Sequence, residues 1–225
     1  MSKKPIKKSD EGKNWITKRK DRAIRSKLEY HLIICEGTKT EPNYFMAMRE
    51  DINMDNKNKI TIEVIGKGRS TTNLLDIAIK KIRTSANYIS NVWLVYDKDE
   101  FTNESFNETS KMCDKINEQG ETEYNAIWSN ESIELWFLLH FIKFDTKIGR
   151  KVYIEKLNEN LKKKKLDKYQ KNDKQLYNKL KPYLEDAIQN AKWLEANYSR
   201  DALPSEMNPC TKVYKLVEVL KKYID

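Results

Sequence analysis

With 225 residues, 39% of them apolar and 34% charged, the chain has room for one substantial domain, or one domain with a helical addition, and its mean hydropathy of -0.83 excludes a membrane-embedded class. Basic residues outnumber acidic ones by 43 to 34, a net charge of +9, and the isoelectric point of 9.2 favours polyanionic partners. Three scattered cysteines, Cys35, Cys113 and Cys210, and two histidines, His31 and His140, argue against a disulfide framework, a zinc cluster and Ser-His or Cys-His nucleophilic chemistry. Met1-Ser2-Lys3-Lys4 leads into further charge rather than an apolar run, so a reducing, cytoplasmic setting is expected.

Residues 1–27 hold eleven basic residues against three acidic ones, so eight of the nine net positive charges lie in this opening arm. Such an arm, with Lys18, Arg19 and Lys20 at its densest point, is drawn to phosphate backbones by counterion release and carries no sequence information. It reads equally as a solubilising tail. Tyr30 to Cys35 is the first predicted strand, and Glu36-Gly37 turns out of it. Thr40-Glu41-Pro42 starts a helix running to about Asp51, with threonine in the cap region, an acid at the positive end of the dipole and proline in the first turn. Ile60 to Ile65 is the second strand. It ends in Gly66-Lys67-Gly68-Arg69-Ser70-Thr71-Thr72, whose glycines, cations and hydroxyls before a helix suit a phosphate or an ordinary turn with an N-cap. The P-loop spacing is absent.

A helix from about Asn73 to Ser85 carries Leu74, Leu75, Ala78 and Ile82 on one side. Val92-Trp93-Leu94-Val95-Tyr96 then reads as a strand buried on both faces, closed by Asp97-Lys98-Asp99. A helix from Ser105 to Glu118 and a strand from Tyr124 to Trp128 follow. Ser129 or Asn130 is expected to cap the next helix, an apolar run from Ile133 to Phe144 too short and too interrupted to cross a membrane. From about Thr146 the chain turns to amphipathic helices: Lys151 to Leu166 with Val152, Leu157 and Leu161 inward, Lys171 to Tyr198 bent at Pro182, and a last one opened by Asn208-Pro209. Strand and helix alternate four times before that point. The expectation is an α/β fold with a Rossmann-like, mainly parallel sheet and helices on both faces over residues 28–145. A helical C-terminal region over 146–225 follows, its last helix packing on the sheet.

The chemistry concentrates where strands end. Two aspartates at i and i+2 repel each other unless a hard divalent cation intervenes, and Glu36 closes another buried strand. In open parallel sheets such ends share one rim, so Glu36, Asp97 and Asp99 are expected to converge there. A loop whose aspartates cap the next helix is the simpler reading of the pair alone. Glu131 suits a capping-box or dipole role, whereas Glu134 interrupts an apolar run and needs a cation or donor if buried.

The run Ile34-Cys35-Glu36-Gly37-Thr38-Lys39-Thr40-Glu41-Pro42-Asn43-Tyr44-Phe45, together with Asn130-Glu131-Ser132-Ile133-Glu134-Leu135-Trp136-Phe137, resembles the RloB family of bacterial proteins linked to restriction-modification loci and phage defence. An acid after the first strand and an Asp-x-Asp after a later one also resemble the Toprim domain of topoisomerases, primases and OLD-type nucleases. The resemblance implies Mg²⁺- or Mn²⁺-dependent phosphodiester chemistry on nucleic acid, with Asp97 and Asp99 as metal ligands and Glu36 as a ligand or general acid/base. It extends to Glu41, one residue off the OLD-type spacing, and to Glu134 as further ligands. It also implies a partner ATPase of the AAA or ABC type.

The expected function is therefore a divalent-metal-dependent nuclease acting on DNA or RNA in anti-phage defence, with Lys67, Arg69 or Lys98 steadying the charge of the pentavalent phosphate. Two rivals stand beside it. One is a non-catalytic subunit that docks nucleic acid or the ATPase and retains the acids for folding; the other is a small-molecule phosphotransfer enzyme. Assembly into a homo-oligomer is compatible with each.

Overall fold

A computed structural model describes residues 28–66, 71–99, 101–118 and 120–224, with the backbone alone for 71–73. Lys18, Arg19, Lys20, Lys67 and Arg69 lie outside the described residues. Five strands, β1 (Glu29–Cys35), β2 (Ile60–Gly66), β3 (Asn91–Asp97), β4 (Glu123–Asn130) and β5 (Cys210–Thr211), form a sheet in the order β2-β1-β3-β4-β5. The first four run parallel and β5 pairs antiparallel with β4. Eight α-helices accompany them among the described residues: α1 (Thr40–Glu50), α2 (Thr71–Thr84), α3 (Asn103–Asn117), α4 (Glu134–Leu139), α5 (Arg150–Lys163), α6 (Leu176–Leu180), α7 (Leu184–Glu195) and α8 (Val213–Lys221). None is long and apolar enough to cross a membrane.

The pleat divides the central strands between two cores, because successive side chains leave a strand on opposite faces. Ile33, Cys35, Trp93, Val95 and Ile127 point to one face, where Tyr44, Phe45 and Met48 of α1 meet α4 through α8. Leu32, Ile34, Val92, Leu94 and Tyr96 point to the other, against Leu74, Leu75 and Ala78 of α2 and Phe106 and Cys113 of α3. Both faces are covered, which is why β1 and β3 read as unbroken apolar runs rather than alternating ones. The first core is continuous from Ile33 to Leu220, so residues from 146 onward share it with the sheet.

Several expected boundaries move. Ser129 and Asn130 belong to β4 rather than capping a helix: Asn130 pairs with Cys210 and Ser129 with Thr211, whose hydroxyls lie 2.9 Å apart. The two-residue strand β5 adds to the expected elements, being too short to show a period of two. The apolar run after Ile133 makes one short helix, and the buried Asn190 amide of α7 donates to the Leu139 carbonyl at 2.8 Å where it ends. On α5 the inward positions are Tyr153, Leu157 and Leu161, and Val152 is 38% exposed. Pro182 sits in a 3₁₀ turn, Lys181–Tyr183, that separates α6 from α7, because its ring forbids the hydrogen bond an unbroken helix would need there.

Candidate metal centre

The sheet order makes a crevice. The chain passes from β1 outward to β2, then returns across β1 to β3, so the carboxyl ends of β1 and β3 open on either side of a topological switch point. Asp97 is the last residue of β3 and is buried. Glu36 follows β1 directly and its Oε2 accepts from the Asp97 amide at 3.3 Å. The chain then turns through Asp99, whose φ of 35° is unusual for a side-chain-bearing residue but tolerated by aspartate. The Asp99 amide donates to the Glu131 carbonyl at 3.1 Å, tying this turn to the end of β4.

Glu41 and Glu134 arrive from helices. On α1, Glu41 shares a face with Tyr44, Phe45 and Met48, at spacings of three, four and seven, so the stripe that buries the aromatic residues also turns Glu41 inward. Its carboxylate lies against Gly37, where an added Cβ would meet Glu41 Oε2 at 2.1 Å. Gly37→Ala therefore forces that carboxylate to move. Because the displaced atoms end a flexible side chain, thermal stability should change by no more than about 1 kcal/mol, while divalent-ion affinity, read by calorimetry, should fall about tenfold or more. Glu134, 1% exposed, is the first residue of α4, every residue of which is buried.

Glu36, Glu41, Asp97, Asp99 and Glu134 line one cavity of about 620 Å³ together with Phe101, Lys39, Arg150 and Lys171. A neighbouring hollow of about 840 Å³ shares Glu36, Asp99, Phe101, Arg150 and Lys171 and extends along the start of α5 past Lys151 and Val152. A third, on the α3 and α7 side, is lined by Lys212 and Lys192, which pair with Glu195 and Glu218, both at 2.6 Å.

Arg150, first residue of α5, sits at the centre of the acids. Its Nη2 reaches Asp97 at 2.7 Å, its Nη1 reaches Asp99 at 2.8 Å and its Nε reaches Glu134 at 3.0 Å. The other Glu134 oxygen accepts from the Tyr169 hydroxyl at 3.0 Å, so both oxygens of that carboxylate are engaged. The segment carrying Tyr169 is strapped over the start of α1 by Thr40, whose hydroxyl donates to the Lys171 carbonyl at 2.7 Å. Residues on both sides of 145 thus build the cavity wall.

Arg150 and Tyr169 are neither acids nor at strand ends, but Arg150 leaves a trace in the sequence. It stands three residues before Tyr153 and seven before Leu157, in line with the inward stripe of α5, and an arginine in a helix's first turn opposes the dipole and so calls for anionic neighbours. Lys98 is placed elsewhere. Its ammonium donates to the Phe101 carbonyl and lies 6.0 Å over the Phe106 ring, away from the acids. Glu131 also takes a different place from the expected cap of α4, accepting from the Arg150 amide at 3.5 Å at the start of α5. The two histidines serve packing: His31 accepts from Trp93 Nε1 at 3.0 Å and His140 Nδ1 meets the Trp136 carbonyl at 2.9 Å.

The acids outnumber the positive charge available to them. Burial, helped by Asp99 and Glu41, pushes the Glu36 carboxyl up to about 7 against the Asp97 amide and Arg150. Burial and then the charge of Glu41 hold Asp97 well above the usual carboxylate range although Arg150 touches it. Burial, Glu134 and Asp99 raise Glu41 as well. Burial works against the charge of Arg150, but Glu134, Asp97 and Asp99 outweigh it and hold the guanidinium above its ordinary value.

Those properties suit a hard divalent cation: carboxylate oxygens only, surplus negative charge, and a guanidinium standing in for a cation between Asp97 and Asp99. Glu41, buried, forms no ion pair among the described residues. No three acids among the described residues lie close enough together to hold an ion as they stand; with Arg150 among them, holding one would require the carboxylates to draw together.

A family model described as RloB-like protein matches residues 31–220. No curated protein and no solved structure matches the chain.

Proposed function

Since the chain belongs to the RloB-like family, we propose that it is a divalent-metal-dependent nuclease, hydrolysing phosphodiester bonds of DNA or RNA in bacterial anti-phage defence, with a partner ATPase of the AAA or ABC type. The observation that carries this reading is the gathering of Glu36, Glu41, Asp97 and Asp99 at the switch-point crevice with more acid than local positive charge. The four carboxylates would hold Mg²⁺ or Mn²⁺, which when bound lowers the pKa of coordinated water and screens phosphate charge. Glu36, beside the Asp97 amide, would serve either as one of these ligands or as the base that takes a proton from the attacking water, its carboxyl being raised by burial to about 7 while no ion is bound. Lys39 and Lys171 line the same cavity and offer positive charge to a phosphate backbone. The resemblance to Toprim and OLD-type nucleases supports the same assignment of Glu36, Asp97 and Asp99.

Full-length protein with Mn²⁺ or Mg²⁺ is expected to nick plasmid DNA or cut structured RNA and to stop on chelation. Absence of both cutting and divalent-ion binding by calorimetry would overturn the reading. The alternative is a non-catalytic docking subunit, favoured by the three ion pairs with which Arg150 already balances part of the acid charge. In that case thermal stability would not respond to Mn²⁺.

A further inference from the structure

We infer that Arg150 is an exchangeable counter-cation: it holds Asp97 and Asp99 while no metal is bound, yields them to the incoming ion, and then turns its freed guanidinium nitrogens to the substrate phosphate. The inference rests on the nuclease reading and adds a substrate-contacting residue to it.

Three observations carry it. Each type of guanidinium nitrogen is committed to a different acid, Nη2 to Asp97, Nη1 to Asp99 and Nε to Glu134. Among the described residues Arg150 is the cation that forms ion pairs with these acids. A divalent ion ligated by Asp97 and Asp99 would therefore meet like charge where the guanidinium now lies, and the two cations cannot share those oxygens.

The three contacts differ in permanence. Glu134 is 1% exposed and is fixed from its far side by Tyr169, whereas the Asp99 side chain is 35% exposed. Glu134 thus anchors Nε and, with both its oxygens employed, is a holder of Arg150 rather than a metal donor; the Asp99 contact is the exposed one, whereas the Asp97 side chain is 6% exposed and its bond to Nη2 is the one the incoming ion must displace. Arg150 also lines both adjoining cavities, so a modest rotation carries its fork from the acids toward the groove that Lys151 and Lys171 border. A planar fork with two parallel donors suits bidentate contact with phosphate.

The test compares full-length wild type with Arg150→Gln and Arg150→Lys, using Mn²⁺ alone, then a phosphorothioate oligonucleotide that resists cleavage. Arg150→Gln should bind Mn²⁺ about tenfold more tightly, because no internal cation must be displaced, while oligonucleotide affinity in Mn²⁺ and cutting both fall about a hundredfold. Without metal its Tm should drop by about 5 °C and recover with saturating Mn²⁺. Arg150→Lys, which keeps the charge but not the fork, should bind Mn²⁺ nearly as wild type does and still lose most oligonucleotide affinity. Damage to the fold would weaken ion and oligonucleotide binding together, so opposite movement of the two marks exchange. Unchanged or weaker Mn²⁺ binding by Arg150→Gln in a protein whose wild type binds Mn²⁺ and cuts would overturn this inference alone. A wild type that neither binds Mn²⁺ nor cuts removes the nuclease reading and this inference with it.

Discussion

Asp97→Asn is expected to lose metal-dependent cleavage by about a thousandfold, near 4 kcal/mol of transition-state stabilisation, while the protein stays as stable as wild type or becomes more so. The two effects separate because they arise from different parts of the same side chain. The substituted carboxamide would keep a carbonyl oxygen for Arg150 Nη2, now 2.7 Å from Asp97 Oδ2, and thus keep the packing at the end of β3. The substitution removes a buried negative charge that Glu41 and Glu134 already oppose. Relief of that repulsion offsets the weaker bond to Arg150, whose guanidinium keeps Asp99 and Glu134 as anionic partners. Plasmid nicking in Mn²⁺ reads the loss of cleavage and thermal denaturation without metal reads the stability. Undiminished cutting would sink the assignment of Asp97 as a metal ligand. A joint collapse of folding and activity would instead make Asp97 a structural partner of Arg150. At high stability and no activity, the residue's charge is retained for chemistry rather than for the fold.

The acids at strand ends could be read from residue order because the signals are local and short. An apolar run long enough for a strand followed at once by Glu36, or by Asp97 and Asp99, fixes which end of the sheet each carboxylate occupies, and parallel pairing brings those ends together. The two cores follow from the same runs. What could not be read depends on distant pairing. Strand β5 owes its existence to hydrogen bonding with Ser129 and Asn130, some eighty residues earlier in the chain, and no period shows in two residues. Arg150 comes after a stretch from 142 to 149 without regular structure, and nothing local says that such a segment returns the chain to the switch point. Tyr169 lies in another loop, positioned by Asn158, whose side chain accepts from its amide at 2.8 Å. Acids that need a cation announce the need, but the side chain that supplies it is chosen by the tertiary path.

Trp136→Ala should be the most destabilising single core change near the site, at about 3 to 5 kcal/mol. Trp136 is fully buried in the continuous core and its indole N–H donates to the Tyr44 hydroxyl at 3.1 Å. Truncation removes the largest side chain of α4, opens a cavity and leaves a buried tyrosine hydroxyl without that partner. It also deprives the His140 ring of its edge contact at 4.9 Å. The effect reaches the acids because α4 presents Glu134 two residues earlier and Tyr44 shares α1 with Glu41, so one indole braces both helices that carry buried carboxylates. Trp136→Phe, which retains most of the volume and loses only the hydrogen bond and part of the packing, should cost about 1 to 2 kcal/mol. Urea denaturation measures both, and the ratio between them decides whether volume or the bond to Tyr44 dominates. Similar losses for Ala and Phe would place the weight on the bond. The expected ordering, Ala well below Phe, places it on packing, and then Mn²⁺ affinity in the Phe variant should remain within about threefold of wild type.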